Sequence, residues 1–231
     1  MYNTCMKCAF WGKNIEPLYN HIKDIEGLNI VDVNIYDDDI WKDSDVTFIV
    51  CEIVNEVDLG KFKSVLSGAN KNTNVVFPII ISQNTIEKKA LNVNPSKFKS
   101  KEEMYDYIVN AIKSITESVT IQGLVNLDVE DLNSVLEISD NWGFTYGESL
   151  GNNALMDAIN IAINKKEQEL SKTKAIIFDV SAGSEDNISM YKIQEGSEVL
   201  HDKCNGANIL WGAKVNAALG NKTKVYIWLL S

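Results

Sequence analysis

Residues 105–136 read YDYIVNAIKSITESVTIQGLVNLDVEDLNSVL, and this stretch decides the fold. From Lys101 onward, Met104, Tyr107, Ile108, Ala111, Ile112, Ile115 and Val119 recur at spacings of three and four, one apolar stripe along a helix of about five turns. Gly123 interrupts the pattern, and a short helix over Val129 to Ile138 follows Asp128. Asp128 and Asp131 lie three apart at that helix start, so both carboxylates share a face beside free backbone N–H groups. The helix dipole keeps such a pair ionised, as holding a metal or orienting a water requires. The same spacing also describes an ordinary N-cap at Asp128 with an acidic first turn.

On the N-terminal side, strands alternate with helices, the pattern of a parallel sheet covered on both faces. Cys5 to Phe10, Leu28 to Tyr36, Val46 to Ile53 and Asn74 to Ile81 read as strands, and Ile15 to Ile25 and Leu59 to Leu66 as helices. The polar segment Gln83 to Lys99, containing Pro95, forms a boundary. On the C-terminal side the expected order is helix (Asn152 to Leu170), strand (Ala175 to Val180), helix (Tyr191 to Lys203) and strands Asn208 to Val215 and Lys224 to Leu230. The short Gly-containing connection 216–223 suggests that the last two strands form an antiparallel pair in a mixed sheet. The division is then residues 1–98, a helix over 99–121, and 122–231.

At 231 residues, 45% hydrophobic and 23% charged, the chain can bury a sizeable core in two compact halves. A formal net charge of -10 repels a nucleic-acid backbone, and the longest basic stretch, Lys97 to Lys101, is too short to reverse that. No signal peptide is expected in Met1 to Lys13, nor any membrane span, which implies a cytoplasmic location. Four cysteines at 5, 8, 51 and 204 suit a reducing compartment. Cys5 and Cys8 have the C-x-x-C spacing of half a metal site or a redox pair, but three apart in a strand they point to opposite faces. His21 and His201, without a third ligand, read as structural; Trp41, Trp142, Trp211 and Trp228 read as core or interface anchors.

The stretch 105–136 resembles the central helix and catalytic loop of the FtsZ branch of the tubulin superfamily, where the loop reads G-L-[IVM]-N-x-D-x-x-D-[VL]. Gly147 to Ile163 is similar to the G-x-x-x-G-x-N-R-A helix segment, with Asn153 in place of Arg. KAIIFDVSAGSEDNISMYKIQEGSEVL (174–200) resembles the strand, glycine turn and helix of the second domain, with Ala182-Gly183 for the usual Gly-Gly. ANILWGAKVNAALGNKTKVYIWLL (207–230) is similar to the closing strand pair. The likeness covers about half the chain in the family's order. It implies an α/β fold: a Rossmann-like parallel-sheet domain (residues 1–98, a degenerate nucleotide-binding-like domain), a central helix, and a second α+β domain with a mixed sheet.

In that family GTP sits in the first domain of one subunit and the acidic loop of the next completes the hydrolytic site. The resemblance therefore implies that Asn126, Asp128 and Asp131 act on a neighbouring subunit's γ-phosphate and attacking water. Asp106 falls at the family's guanine-contact position, and is equally readable as a solvated helix residue. The first domain departs from the pattern. A family member follows Val46 to Cys51 with G-G-G-T-G-[TS]-G, whose N–H groups fold around phosphates, whereas this chain has Glu52 to Gly60, EIVNEVDLG. Its carboxylates repel phosphate by on the order of 4 kcal/mol per close charge pair. Lys13 lacks a glycine loop, the first-strand glycines are reduced to Gly12, and about a helix and a strand are missing between Tyr36 and Trp41.

The expectation is a shortened FtsZ-like protein with no cofactor, which does not hydrolyse GTP unaided and meets an FtsZ-type subunit or itself in a filament-like contact. Ending just after its last strand, it is expected to lack the family's tail and so a direct membrane anchor. Three alternatives stay open: a GTP-binding, GTP-hydrolysing polymer subunit with a rebuilt phosphate loop, a nucleotide-independent self-assembling protein, and a binding module that inherits the fold.

Overall fold

The structure, a computed structural model, describes residues 4–32 and 38–231, and the backbone alone of Asp186. The chain divides into two compact units, Met1–Thr120 and Ile121–Ser231.

The first unit runs β1 (Met6–Trp11), α1 (Glu16–Ile22), β2 (Leu28–Val31), β3 (Ser44–Glu52), α2 (Glu56–Asn72), β4 (Thr73–Ile81), β5 (Leu91–Val93) and α3 (Lys101–Thr120). Its strands pair in the order β2-β1-β3-β4-β5, all parallel. Parallel neighbours need crossovers, and α1 and α2 supply them. Strand side chains alternate between faces. Ala9, Ile49, Cys51 and Ile80 meet Phe62, Val65 and Ala69 of α2 together with Trp41 on one face. Cys8, Phe48, Phe77 and Ile79 point to the other face, where Phe48 and Phe77 stack at 5.5 Å and α1 packs with α3. Each buried Val, Ile or Phe among them contributes about 1.5–3 kcal/mol by leaving water. The strand expected over Leu28 to Tyr36 is seen as Leu28–Val31; residues 33–37, over which that expectation extended, lie outside the described residues.

Helix α3 confirms its apolar stripe, with Met104, Ile108, Ala111, Ile112 and Ile115 buried, but it is buried more widely than the stripe requires. Asn110, Ser114, Thr116 and Ser118 are also inside. Local bonds satisfy several of them: Asn110 Nδ2 donates to the Asp106 carbonyl (2.7 Å), Ser114 to Ala111 (2.7 Å) and Ser118 to Ser114.

The second unit runs α4 (Val129–Glu137), β6 (Trp142–Leu150), α5 (Ala154–Asn164), α6 (Glu167–Leu170), β7 (Ala175–Ala182), α7 (Met190–Lys203), β8 (Asn208–Val215) and β9 (Lys222–Leu230). Its strands pair in the order β6-β9-β7-β8: β9 lies antiparallel to both β6 and β7, and β7 lies parallel to β8. Ile176, Phe178, Val180, Ile227 and Leu229 form its core with Leu155 and Ile159 of α5 and Ile193 and Leu200 of α7.

Two expectations change here. Strands β8 and β9 are not an antiparallel pair, because β7 lies between them. The connection 216–221 crosses the end of β7 instead of turning back: Asn216 N–H donates to the Ala182 carbonyl (2.8 Å) and Gly183 N–H to that of Lys222 (3.0 Å). A Cβ at Gly183 would stand 1.7 Å from the Gly220 carbonyl oxygen, so the crossing needs glycine there. The nine-residue β6 was not anticipated, and the helix expected over Asn152 to Leu170 is two, broken after Asn164.

Candidate functional site

In the first unit, β1 and β3 are neighbours, with Trp11 level with Cys51, so the turn after β1 lies beside the last residue of β3, Glu52. Gly12 adopts φ +147°, and a Cβ there would come 2.7 Å from the Glu52 Cβ. The glutamate stem therefore lies against the turn, and its carboxylate accepts both the Asn14 backbone N–H (3.1 Å) and the Asn14 Nδ2–H (2.9 Å). Three residues then lead into α2. Asn55 caps it, accepting from the N–H groups of Val57 (2.9 Å) and Asp58 (3.0 Å), while the Asp58 carboxylate accepts from Val54 N–H (3.1 Å). Four backbone donors at this end of the sheet are thus bonded to the chain's own side chains, two of them by carboxylates.

Beside Glu52 is a cavity of about 100 Å³ lined by Asn14, Ser100, Lys101 and Met104 among others, small against the roughly 300–1,000 Å³ of ligand sites. Tyr105 donates from its hydroxyl to the Asn14 carbonyl (3.0 Å). Burial, then the Glu102 and Glu52 carboxylates, push its phenol pKa up. Lys13 and Asp106 are exposed.

The acidic loop lies wholly in the second unit. Val125 forms an antiparallel bridge to Ala213 of β8, through Val125 N–H to the Ala213 carbonyl (3.1 Å) and Ala213 N–H to the Val125 carbonyl (2.9 Å). Asn126 ties the loop to itself: Oδ1 accepts from Gly123 N–H (2.8 Å) and Nδ2 donates to the Ile121 carbonyl (2.7 Å). Leu127 is buried and anchors the turn. Asp128 caps α4, accepting from Glu130 N–H (2.7 Å), and Asp131 stands in the first turn. All three candidate residues, Asn126, Asp128 and Asp131, are exposed. Asp128 therefore has the capping role its spacing allows, and its second carboxylate oxygen and Asp131 still face outward with the dipole of α4 behind them.

Cys5 precedes β1 half-buried and Cys8 is buried within it; all four thiols are free. Among the described residues no group of three or more His, Cys, Asp or Glu is placed to hold a metal, and no helix is long and apolar enough to cross a membrane. His21 lies 6.1 Å from the Tyr105 ring, and His201 Nδ1 is 3.2 Å from the Ala207 carbonyl oxygen. Trp41 and Trp228 are fully buried, Trp142 nearly so, and Trp211 packs half-buried on the second core. Two contacts were invisible to sequence reading: the exposed one of Glu52 with Asn14, and that of Lys214 with Asp179 (2.5 Å), whose two side chains are each only 3% exposed.

Superposition decides the architecture: FtsZ of M. jannaschii, solved as an empty dimer, matches 99% of this chain and 88% of its own with a TM-score of 0.80 at 15% identity. The chain has the FtsZ/tubulin fold. CetZ1 of Haloferax volcanii, solved as a GDP-bound monomer, matches this FtsZ-like chain over 80% of its length and 64% of CetZ1, with a TM-score of 0.62 at 12% identity. In sequence, cell division protein FtsZ 2 of Pyrococcus furiosus is 27% identical over 157 residues, 64% of this chain and 36% of that protein. Cell division protein FtsZ 1 of Thermococcus kodakarensis is 28% identical over 166 residues, 70% of this chain and 42% of that protein. The match spans less than half the length of either relative. No protein-family model matches the chain.

Proposed function

We propose that this chain is an FtsZ-like cytoskeletal or cell-division protein that does not bind GTP itself and joins filaments of a GTP-binding relative through its acidic loop. The observation that carries the reading is the contrast between the two units. In the first, Glu52, Asn55 and Asp58 occupy the donors that a phosphate would need. In the second, the loop keeps Asn126, Asp128 and Asp131 exposed. A subunit with one competent face adds to a filament end and offers no nucleotide to the next subunit, so it caps growth. At that end the loop carboxylates orient the water that attacks the neighbour's γ-phosphate, with Asn126 holding the loop closed.

The test titrates the protein into polymerising FtsZ from the same organism, following light scattering and phosphate release. Shorter polymers at amounts well below one per subunit, abolished by Asp128→Ala together with Asp131→Ala, are expected. Unchanged polymer length at equal amounts, or a double variant that acts like the parent, overturns the reading.

A further inference from the structure

Among the described residues, the loop is tied to the sheet's backbone at one residue pair, Val125 with Ala213, on β8, the edge strand of its unit. Its seat therefore depends on the side chains next to that bridge. Lys214 is one of them: a Cβ at Gly123 would lie 3.1 Å from the Lys214 Cβ and 2.5 Å from the Ala213 carbonyl oxygen. A lysine on an edge strand ordinarily runs out to water, carrying its ammonium on a flexible stem. Lys214 instead lies across the sheet toward β7, where its Nζ meets Asp179 Oδ2 at 2.5 Å, with each side chain only 3% exposed. Leu127, from the loop, closes over the same place. A Cβ at Gly212 would meet Leu127 Cγ at 3.2 Å and Asp179 Oδ1 at 3.0 Å. Asp179 Oδ1 is buried without a hydrogen bond among the described residues, so this carboxylate is committed to Lys214.

We infer that the Asp179–Lys214 pair positions the acidic loop, by drawing the Lys214 stem out of the space that Gly123 to Leu127 occupy. A buried charge that loses its partner seeks water. Because the Lys214 stem starts beside Gly123, an ammonium released from Asp179 swings that stem against the loop that presents Asp128 and lifts it. Both residues are positioning residues. Their importance for assembly rests on the proposed role of the loop, but their effect on the loop does not.

Amide hydrogen exchange on the intact chain tests this without a partner. In Asp179→Asn, the Val125 and Ala213 amides are expected to exchange at least about tenfold faster, with the β6–β9 ladder changed by less than about twofold. Adding Lys214→Met removes the charge that seeks water, and the two amides should return to the parent's rate. If loop and ladder accelerate together, or the double variant stays as fast as the single one, the inference is overturned. Should Asp179→Asn not fold, Asp179→Ala, with and without Lys214→Met, is read in the same way. Because no FtsZ is present, failure here leaves the capping reading standing, and failure of the polymer titration leaves this inference standing.

Discussion

Replacing Glu52 by Ala tests whether the side chains of the first unit keep GTP out, as proposed. A Kd of 1 mM corresponds to about −4.1 kcal/mol and 1 μM to about −8.2, so about 4 kcal/mol separates negligible from effective binding. A carboxylate 4 Å from a phosphate charge opposes it by about 4 kcal/mol at an effective dielectric of about 20. Glu52 is half-buried, however, and solvent and salt screening reduce that to the order of 1–2 kcal/mol. The remainder comes from the N–H groups of Val54, Val57 and Asp58, already bonded to Asp58 and Asn55, and from a cavity of only about 100 Å³. Calorimetry with GTP and magnesium should thus give a parent Kd no tighter than about 1 mM. Glu52→Ala should tighten it by no more than about thirtyfold, the equivalent of about 2 kcal/mol. Micromolar binding by the parent refutes the reasoning outright. Micromolar binding by the variant alone shows that a single carboxylate, rather than the committed donors, excluded the nucleotide.

Changing Asp128 and Asp131 together to Asn should cost at most about 1 kcal/mol in thermal melting, since Asn caps as well as Asp and both residues are exposed; a loss of several kcal/mol makes the pair structural. Gly183→Ala drives a methyl into the Gly220 backbone and should destabilise the second unit by more than about 3 kcal/mol, read as a lowered urea midpoint; a midpoint within error of the parent's shows that the crossing can yield. Burial pushes the Cys204 thiol up to about 11 and raises those of Cys8 and Cys51 further. The unfolded chain then ionises its thiols first, so the thiols' contribution to stability is constant below about pH 8.5 and falls as pH rises above it, as alkaline denaturation curves should show.

Where the sequence was legible, the signal was local. The α3 stripe, the β-branched runs of β3 and β4, and the Asp128 cap all declare themselves within a few residues. The strand β6, WGFTYGESL, does not, because its two glycines read as punctuation; it is a strand because it pairs along its whole length with β9, some 80 residues later. The last two strands misled for the opposite reason, since a short connection containing Gly220 is a hairpin signal and only the presence of β7 between them cancels it. The site divides the same way. Asn126, Asp128 and Asp131 form a contiguous motif, whereas the contacts of Glu52 with Asn14 and Asp179 with Lys214 join residues 38 and 35 apart. No local pattern announces such pairs.

The place of β9 has a consequence for the order in which the molecule is made. The first unit's sheet uses only residues up to Val93 and can assemble once those have emerged from the ribosome, strand next to strand in nearly the order of synthesis. The second unit's sheet has its last-made strand in an interior position, between β6 and β7. Until residue 230 is out, β6 and β7 have no strand to join them, and Phe144, Ile177 and Phe178 lack their partners. A nascent chain paused before Lys222 thus carries a finished first unit and an open, apolar second one. That stretch of translation is where a chaperone would find the most to hold.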